Sequence, residues 1–305
     1  MRVSIIGQAA FGESVLQRLQ EDGVEVVGIS APEPTEGGRP DPLWTAAGDA
    51  GIPAVDTAGL KEDTGLARWN AMDAELTVMA FVTEILPEEA FTKPKHATIQ
   101  YHPSLLPLHR GSSAIAWPII YGRAETGITI FRPDEGIDTG PVILQETCEI
   151  GPDDTVVTLY FDKLYPMGVD AMSKVVKMVE AGEITFRDQD HNAATYEPPI
   201  AAHHGRIRWH EPAQKLYDLI RGCNSQPGAW FTRKGEKLKI FDCKLTGEQV
   251  PGMPGRILSI DEEGFNVRLN GGVLRVSRVQ AEGARKQGAG EWAAEVGLKV
   301  GARFR

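Results

Sequence analysis

Cysteine is scarce in this chain. Cys148, Cys223 and Cys243 are three among 305 residues and stand far apart. An odd, widely spaced set forms neither a disulfide framework nor a zinc-ligand pattern, so a reducing, cytoplasmic setting is expected. Long hydrophobic runs are missing as well. No apolar stretch approaches the ~18 residues of a membrane span, which argues against a membrane protein. Positive charge is in deficit, with 32 Lys and Arg against 42 Asp and Glu and a net charge of −10. Nucleic-acid binding draws on Lys and Arg neutralising phosphates, so this balance disfavours such a partner. Lys234, Lys237, Lys239 and Lys244 come nearest to a basic cluster and read as a solvated strand face. The opening residues, Met1 to Gly7, enter a strand pattern directly and carry no signal-peptide cleavage region. What remains is ordinary globular material, 42% hydrophobic and 24% charged. The length suggests two domains at ~150 residues each.

The patterning begins with strand, helix and strand. Val3 to Ile6 is an apolar run, Phe11, Val15, Leu16 and Leu19 recur at helical spacing, and Val24 to Ile29 is the next strand. Such units build a parallel sheet with right-handed crossovers. A Pro- and Gly-rich loop spans Ala31 to Pro40, followed by a helix near Asp41–Gly51 and a strand near Ile52–Val55. Leu76–Phe81 and Thr98–Tyr101 read as buried strands of a sheet covered on both faces. Gly127–Arg132 and Pro141–Ile150 are further strands. Asp153 and Asp154 are placed to cap a long helix closed by Gly182. Asp188–His204 lacks periodicity and reads as a linker. Beyond it, Pro212 opens a helix to Gly222. Leu238–Leu245, Arg256–Ile260, Phe265–Leu269, Val273–Val279 and Val300–Phe304 are short strands suited to a small barrel.

Two loop motifs carry the chemistry. One reads Gln100-Tyr101-His102-Pro103-Ser104-Leu105-Leu106-Pro107, with Arg110-Gly111 after it. The other is Asp134-Glu135-Gly136-Ile137-Asp138-Thr139-Gly140. A histidine with a carboxylate partner is a common means of moving protons near neutral pH. His102 follows a buried strand, which puts it at the carboxyl edge of the sheet, where open α/β sheets bind ligands. The competing reading of Asp138 is a turn aspartate bonded to its own backbone. Gly7-Gln8-Ala9-Ala10-Phe11-Gly12 approximates a dinucleotide fingerprint. However, Ala9 replaces its middle glycine, and no acidic residue ends the second strand, so no nicotinamide is expected. The remaining histidines lack the companions a metal site needs.

These motifs resemble the formyltransferase superfamily that uses 10-formyltetrahydrofolate, whose signature is Asn-x-His-x-Ser-Leu-Leu-Pro followed by an Asp in a Gly-rich loop. Arg221 to Trp230, Pro254-Gly255-Arg256 and Val276–Phe304 resemble the C-terminal domain of methionyl-tRNA formyltransferase-like proteins. Phe11-Gly12-Glu13, Tyr101 to Pro107, Asp153 to Tyr160 and Thr195-Tyr196-Glu197 resemble the N-terminal hydrolase domain of 10-formyltetrahydrofolate dehydrogenase in particular. The resemblance implies a Rossmann-like, mostly parallel catalytic domain over 1–200 and a small OB-like β-barrel over 206–305. It implies 10-formyltetrahydrofolate as co-substrate, no metal, and His102, Asp138 and Gln100 as catalytic. Phe81, Ile85, Leu86, Pro87, Pro103, Ser104, Asp134 and Gly136 would hold the folate. Gln100 departs from the transferases' Asn and sets the amide one methylene farther out. The loop Ala31 to Pro40 holds one Arg and two Glu where methionyl-tRNA formyltransferases carry a basic insertion, which disfavours tRNA as acceptor. Water and other amines stay open as acceptors, as does work alongside a separate dehydrogenase; a non-catalytic folate-binding protein is the alternative from another class, against which the intact His102 and Asp138 weigh.

Overall fold

A computed structural model describes residues 1–304. The chain divides into two compact units. Of the described residues, the first comprises 1–114, 127–148 and 161–197; the second comprises 115–126, 149–160 and 198–304.

The first unit is built on a seven-stranded sheet. Its strands are β1 (Arg2–Gly7), β2 (Glu25–Ala31), β3 (Ala54–Asp56), β4 (Leu76–Ala80), β5 (Thr98–His102), β6 (Glu125–Phe131) and β7 (Val142–Glu149). They are ordered β3-β2-β1-β4-β5-β6-β7. Strands β1 to β5 pair in parallel, and β6 runs antiparallel to β5. The strand order reverses between β1 and β4, and the carboxyl ends there form the crevice in which such sheets bind ligands. Helix α1 (Ala9–Glu21) buries Phe11, Val15, Leu16 and Leu19, the stripe its spacing dictates. Helices α2 (Pro42–Asp49) and α3 (Asp63–Asn70) follow; α3 was not legible in the sequence.

Helix α4 (Ala116–Ile120) and helix α5 (Val156–Leu159) belong to the second unit. The long helix expected after Asp154 is interrupted. Thr155, not an aspartate, forms the N-terminal capping box with Thr158, and a wide five-residue turn over Tyr160–Leu164 precedes helix α6 (Tyr165–Ala181) in the first unit. Pro166 accounts for the break, because its ring cannot follow an intact α-helical turn. Gly182 ends α6 in the left-handed conformation expected of it.

Helix α7 (Ala213–Gly222) leads into two four-stranded antiparallel sheets. One contains β8 (Ala229–Arg233), β9 (Glu236–Ile240), β14 (Arg278–Ala281) and β15 (Gln287–Gly288). The other contains β10 (Cys243–Thr246), β11 (Ile257–Asp261), β12 (Gly264–Leu269) and β13 (Gly272–Val276). They share one core with α7 and helix α8 (Ala289–Glu295), including Trp209, Phe231, Phe265, Trp292 and Phe304. The expected strand Val300–Phe304 is only an isolated bridge between Arg256 and Arg303. Backbone hydrogen bonds still tie the segment to Gly255 and Ile257, and Phe304 is drawn inward to the rings of Trp209, Phe231 and Phe265.

Candidate active site

Strand β5 sets the geometry. Side chains alternate across a strand, so Gln100 and His102 share one face while Tyr101 takes the other. Tyr101 lies against Phe11 with ring centroids 4.4 Å apart. His102 is therefore delivered at the carboxyl end of a central strand, and only 5% of it is exposed. Its Nε2 lies 2.9 Å from the carbonyl oxygen of His109. A carbonyl oxygen only accepts, so Nε2 carries the proton and donates. The other ring nitrogen, Nδ1, faces Asp138 Oδ2 at 3.6 Å. Both side chains are about nine-tenths buried, at 7% and 10% exposure.

The glycine-rich loop aims Asp138 by backbone strain and by bonds. Asp138 sits in the left-handed region at φ +55°, a conformation sparse for any non-glycine residue and frequent at functional sites. Its Oδ2 accepts the Gly111 N–H at 2.8 Å. Its own carbonyl, and that of Gly140, accept from the Gln189 amide at 3.0 and 2.7 Å. At Gly140 a Cβ would fall 1.8 Å from the Arg132 carbonyl, so glycine is required to close the loop. The turn-aspartate role weighed for Asp138 belongs to Asp134, whose Oδ1 accepts from Gly136 N–H at 3.1 Å and from the Thr139 hydroxyl.

The His102 loop is held from below. Leu106 N–H donates to the Thr129 hydroxyl, which donates to the Ser104 carbonyl, and the Gln145 amide donates to the Leu106 carbonyl. Thr129 lies directly across from His102 on β6. Ser104 is fully buried and donates to the Leu108 carbonyl at 2.6 Å, which closes the loop on itself. Gln100 is half-buried between Met79 of β4 and Phe131 of β6.

The segment read as a linker clamps this site. Thr195 N–H donates to Pro107 O, and Thr195 O accepts from Arg110 N–H at 3.0 Å. Arg110 is 2% exposed, and its guanidinium meets Gln189, Tyr196 and His191 rather than a carboxylate. His109 Nδ1 lies 3.1 Å from Glu197 Oε1. Of these partners, Thr195, Tyr196 and Glu197 stood within a stretch that carries the resemblance, and Arg110 stood beside the His102 motif, whereas Gln189 and His191 had no sequence signal.

The other expected folate contacts divide. Phe81 stands at φ +64° and is exposed, as is Ile85. Leu86, by contrast, packs on the core of Ile6, Val55, Leu60, Trp69, Met79 and Ala90. Pro87 and Pro103 are partly buried, and Asp134 and Gly136 are exposed. A shallow surface recess lies where β1 and β4 end, lined by Ile6, Gly7, Gln8, Thr57 and Phe81 to Glu84. His102 and Asp138 are not among its walls. Gly7 is needed there, since a Cβ would sit 2.3 Å from the Ala80 carbonyl.

At the start of α1, where dinucleotide-binding folds hold a phosphate, Asp41 Oδ2 accepts the Ala9 N–H at 2.8 Å. Among the described residues, no group of three His, Cys, Asp or Glu is placed to hold a metal ion. Likewise, no helix there is long and apolar enough to cross a membrane. In the second unit a cavity of about 390 Å³ is lined by Arg233, Lys234, Lys299 and Arg303, with Leu298, Phe304 and smaller residues between them. The lysine cluster of the sequence thus contributes Lys234 to a cationic recess.

Comparison with known proteins agrees along the whole chain. Residues 1–176 match the formyl transferase family, and residues 199–297 match the formyl transferase C-terminal domain. Over 267 residues the chain is 39% identical to the cytosolic 10-formyltetrahydrofolate dehydrogenase of Mus musculus, covering 84% of this chain and 29% of that protein. It therefore spans under a third of that relative's length. A methionyl-tRNA formyltransferase of Geobacter metallireducens is 30% identical over 309 residues, covering 100% of this chain and 98% of that one. Among solved structures, HypX from Aquifex aeolicus, crystallised with tetrahydrofolic acid, superposes with a TM-score of 0.74 at 17% identity, over 98% of this chain and 48% of that chain. That likeness speaks to the fold alone. With a sheet, a His/Asp loop pair and two matched domains in the right order, this chain belongs to the formyl transferase family.

Proposed function

We propose that this chain takes its formyl group from 10-formyltetrahydrofolate and, at His102 and Asp138, releases it to water as formate or passes it to an amine. The observation that carries the reading is the buried facing of His102 Nδ1 and Asp138 Oδ2 at 3.6 Å. The formyl group on N10 is amide-like, so attack at its carbon develops an oxyanion that needs a donor and a leaving nitrogen that needs a proton. Asp138 accepts the proton of the attacking water. The Gln100 amide donates to the oxyanion from the face it shares with His102. When the carbon–N10 bond breaks, His102 relays the proton through Nδ1 to the leaving nitrogen. Formate and tetrahydrofolate result, and the step is redox-neutral, so it calls for neither nicotinamide nor metal. Exposed Phe81 and Ile85 offer apolar surface to the pterin.

The resemblance of Tyr101 to Pro107 and of Thr195 to Glu197 to the hydrolase domain of 10-formyltetrahydrofolate dehydrogenase favours water as the acceptor, and the chain is 39% identical to one such protein over 267 residues. A tRNA acceptor is the second reading, supported by the end-to-end match to a methionyl-tRNA formyltransferase and by the cationic recess. The net charge of −10 weighs against it. Incubation with 10-formyltetrahydrofolate, with and without charged initiator tRNA, separates the two. Release of tetrahydrofolate without acceptor selects hydrolysis, and dependence on the tRNA selects transfer. No release under either condition refutes both.

A further inference from the structure

We infer that the segment Thr195–Glu197 fixes the proton on His102 Nε2, acting through His109, so that Glu197 and Thr195 are positioning residues; their effect on turnover rests on the reading above. His109 stands at φ +57°, a backbone state that penalises a side chain carrying Cβ. It persists where surrounding contacts over-determine it, and two of those contacts come from this segment. Thr195 Oγ1 accepts the His109 N–H at 2.8 Å. Glu197 Oε1 accepts from His109 Nδ1 at 3.1 Å, with both side chains more than nine-tenths buried. Held this way, the His109 carbonyl meets His102 Nε2 at 2.9 Å.

The consequence is chemical. With Nε2–H committed to that carbonyl, Nδ1 is the nitrogen left to gain and lose a proton, and it is the one that faces Asp138. Release the His109 carbonyl, and the neutral ring is free to hold its proton on either nitrogen. The segment shows a local cost that fits this role. Glu197 Oε2 is buried with no hydrogen-bond partner, a penalty that stability alone does not explain.

The test compares wild type with Glu197→Ala, Glu197→Gln and Thr195→Val. Glu197→Ala lowers kcat for tetrahydrofolate release by about ten- to a hundredfold, with KM unchanged within about twofold, the scale seen when a partner orienting a functional histidine is removed. Glu197→Gln keeps an acceptor for His109 Nδ1 and recovers most of the loss. Nitrogen-15 NMR of histidine-labelled protein reads the ring directly: wild-type His102 shows a protonated Nε2, and Glu197→Ala shows a mixture of tautomers. Unchanged His102 ring signals in folded Glu197→Ala overturn the inference, even if kcat falls. If Glu197→Ala does not fold, Thr195→Val with wild-type kcat and ring signals overturns it instead. If wild type shows no turnover, the folate reading fails, and the NMR signals alone decide between a tautomer set by this segment and one that is not.

Discussion

The Asp138 oxygen that faces His102 at 3.6 Å is the same one that accepts the Gly111 N–H at 2.8 Å. One oxygen thus ties the two loops together and points at the imidazole. Asp138→Asn keeps the size and tolerates the left-handed backbone, but it removes the base. It should lower kcat by about 10²–10⁴-fold while leaving folate binding nearly intact. Steady-state kinetics with a parallel binding titration check this, and a loss confined to KM would contradict it.

Gln189 is the joint between buried Arg110 and the Asp138 loop. Its carbonyl accepts from the guanidinium at 2.7 Å, and its amide donates to the Asp138 and Gly140 carbonyls. Gln189→Leu leaves a buried cation short of an acceptor and two carbonyls unpaired. A loss of roughly 2–4 kcal/mol in unfolding free energy is expected. Urea titration measures it, and a change below about 0.5 kcal/mol, the scale of a neutral surface substitution, would show that the joint carries no weight.

Asp41 bridges two helix starts, accepting Ala9 N–H at 2.8 Å and Leu43 N–H at 2.9 Å. Asp41→Ala should cost about 1–2 kcal/mol through lost capping. Turnover per folded molecule should stay at the wild-type level. A lowered melting temperature with unchanged kcat is the expected pair of results; a kcat loss without destabilisation would place Asp41 in the chemistry instead.

Much of the fold was legible before any coordinates. The strand–helix–strand opening, the apolar runs at β4 and β5, and Gly182 as a helix stop all follow from periodicity and glycine chemistry. The wide turn at Tyr160–Leu164 did not, because the apolar spacing continues through it and only Pro166 hints at a break. The loops that bring His102 and Asp138 face to face were legible because they carry Pro and Gly at fixed offsets. Glu197, Thr195 and Gln189 were not legible as site residues. They sit in aperiodic sequence; Thr195-Tyr196-Glu197 carried a resemblance but no role, because the contacts arise from pairing with the His102 loop some 80 residues earlier.

Burial pushes the Cys223 thiol up to about 12. The folded value lies above the unfolded value of about 8.5, so the thiol's contribution to stability is complete below pH ~8.5 and is lost as pH rises toward 12. At pH 8 Cys223 should resist iodoacetamide in the native protein and react once the protein is unfolded in urea. Thermal melts should decline from pH 9 to 11, and Cys223→Ala should flatten that decline. Rapid native labelling of Cys223 at pH 8 would contradict its burial.

The most direct measurement is the rate of tetrahydrofolate release from 10-formyltetrahydrofolate by wild type and by His102→Ala, with folding verified by circular dichroism. Removing the relay should cut the rate by about 10²–10⁴-fold in a protein that still binds folate. A folded His102→Ala protein that releases tetrahydrofolate as fast as wild type would contradict the account.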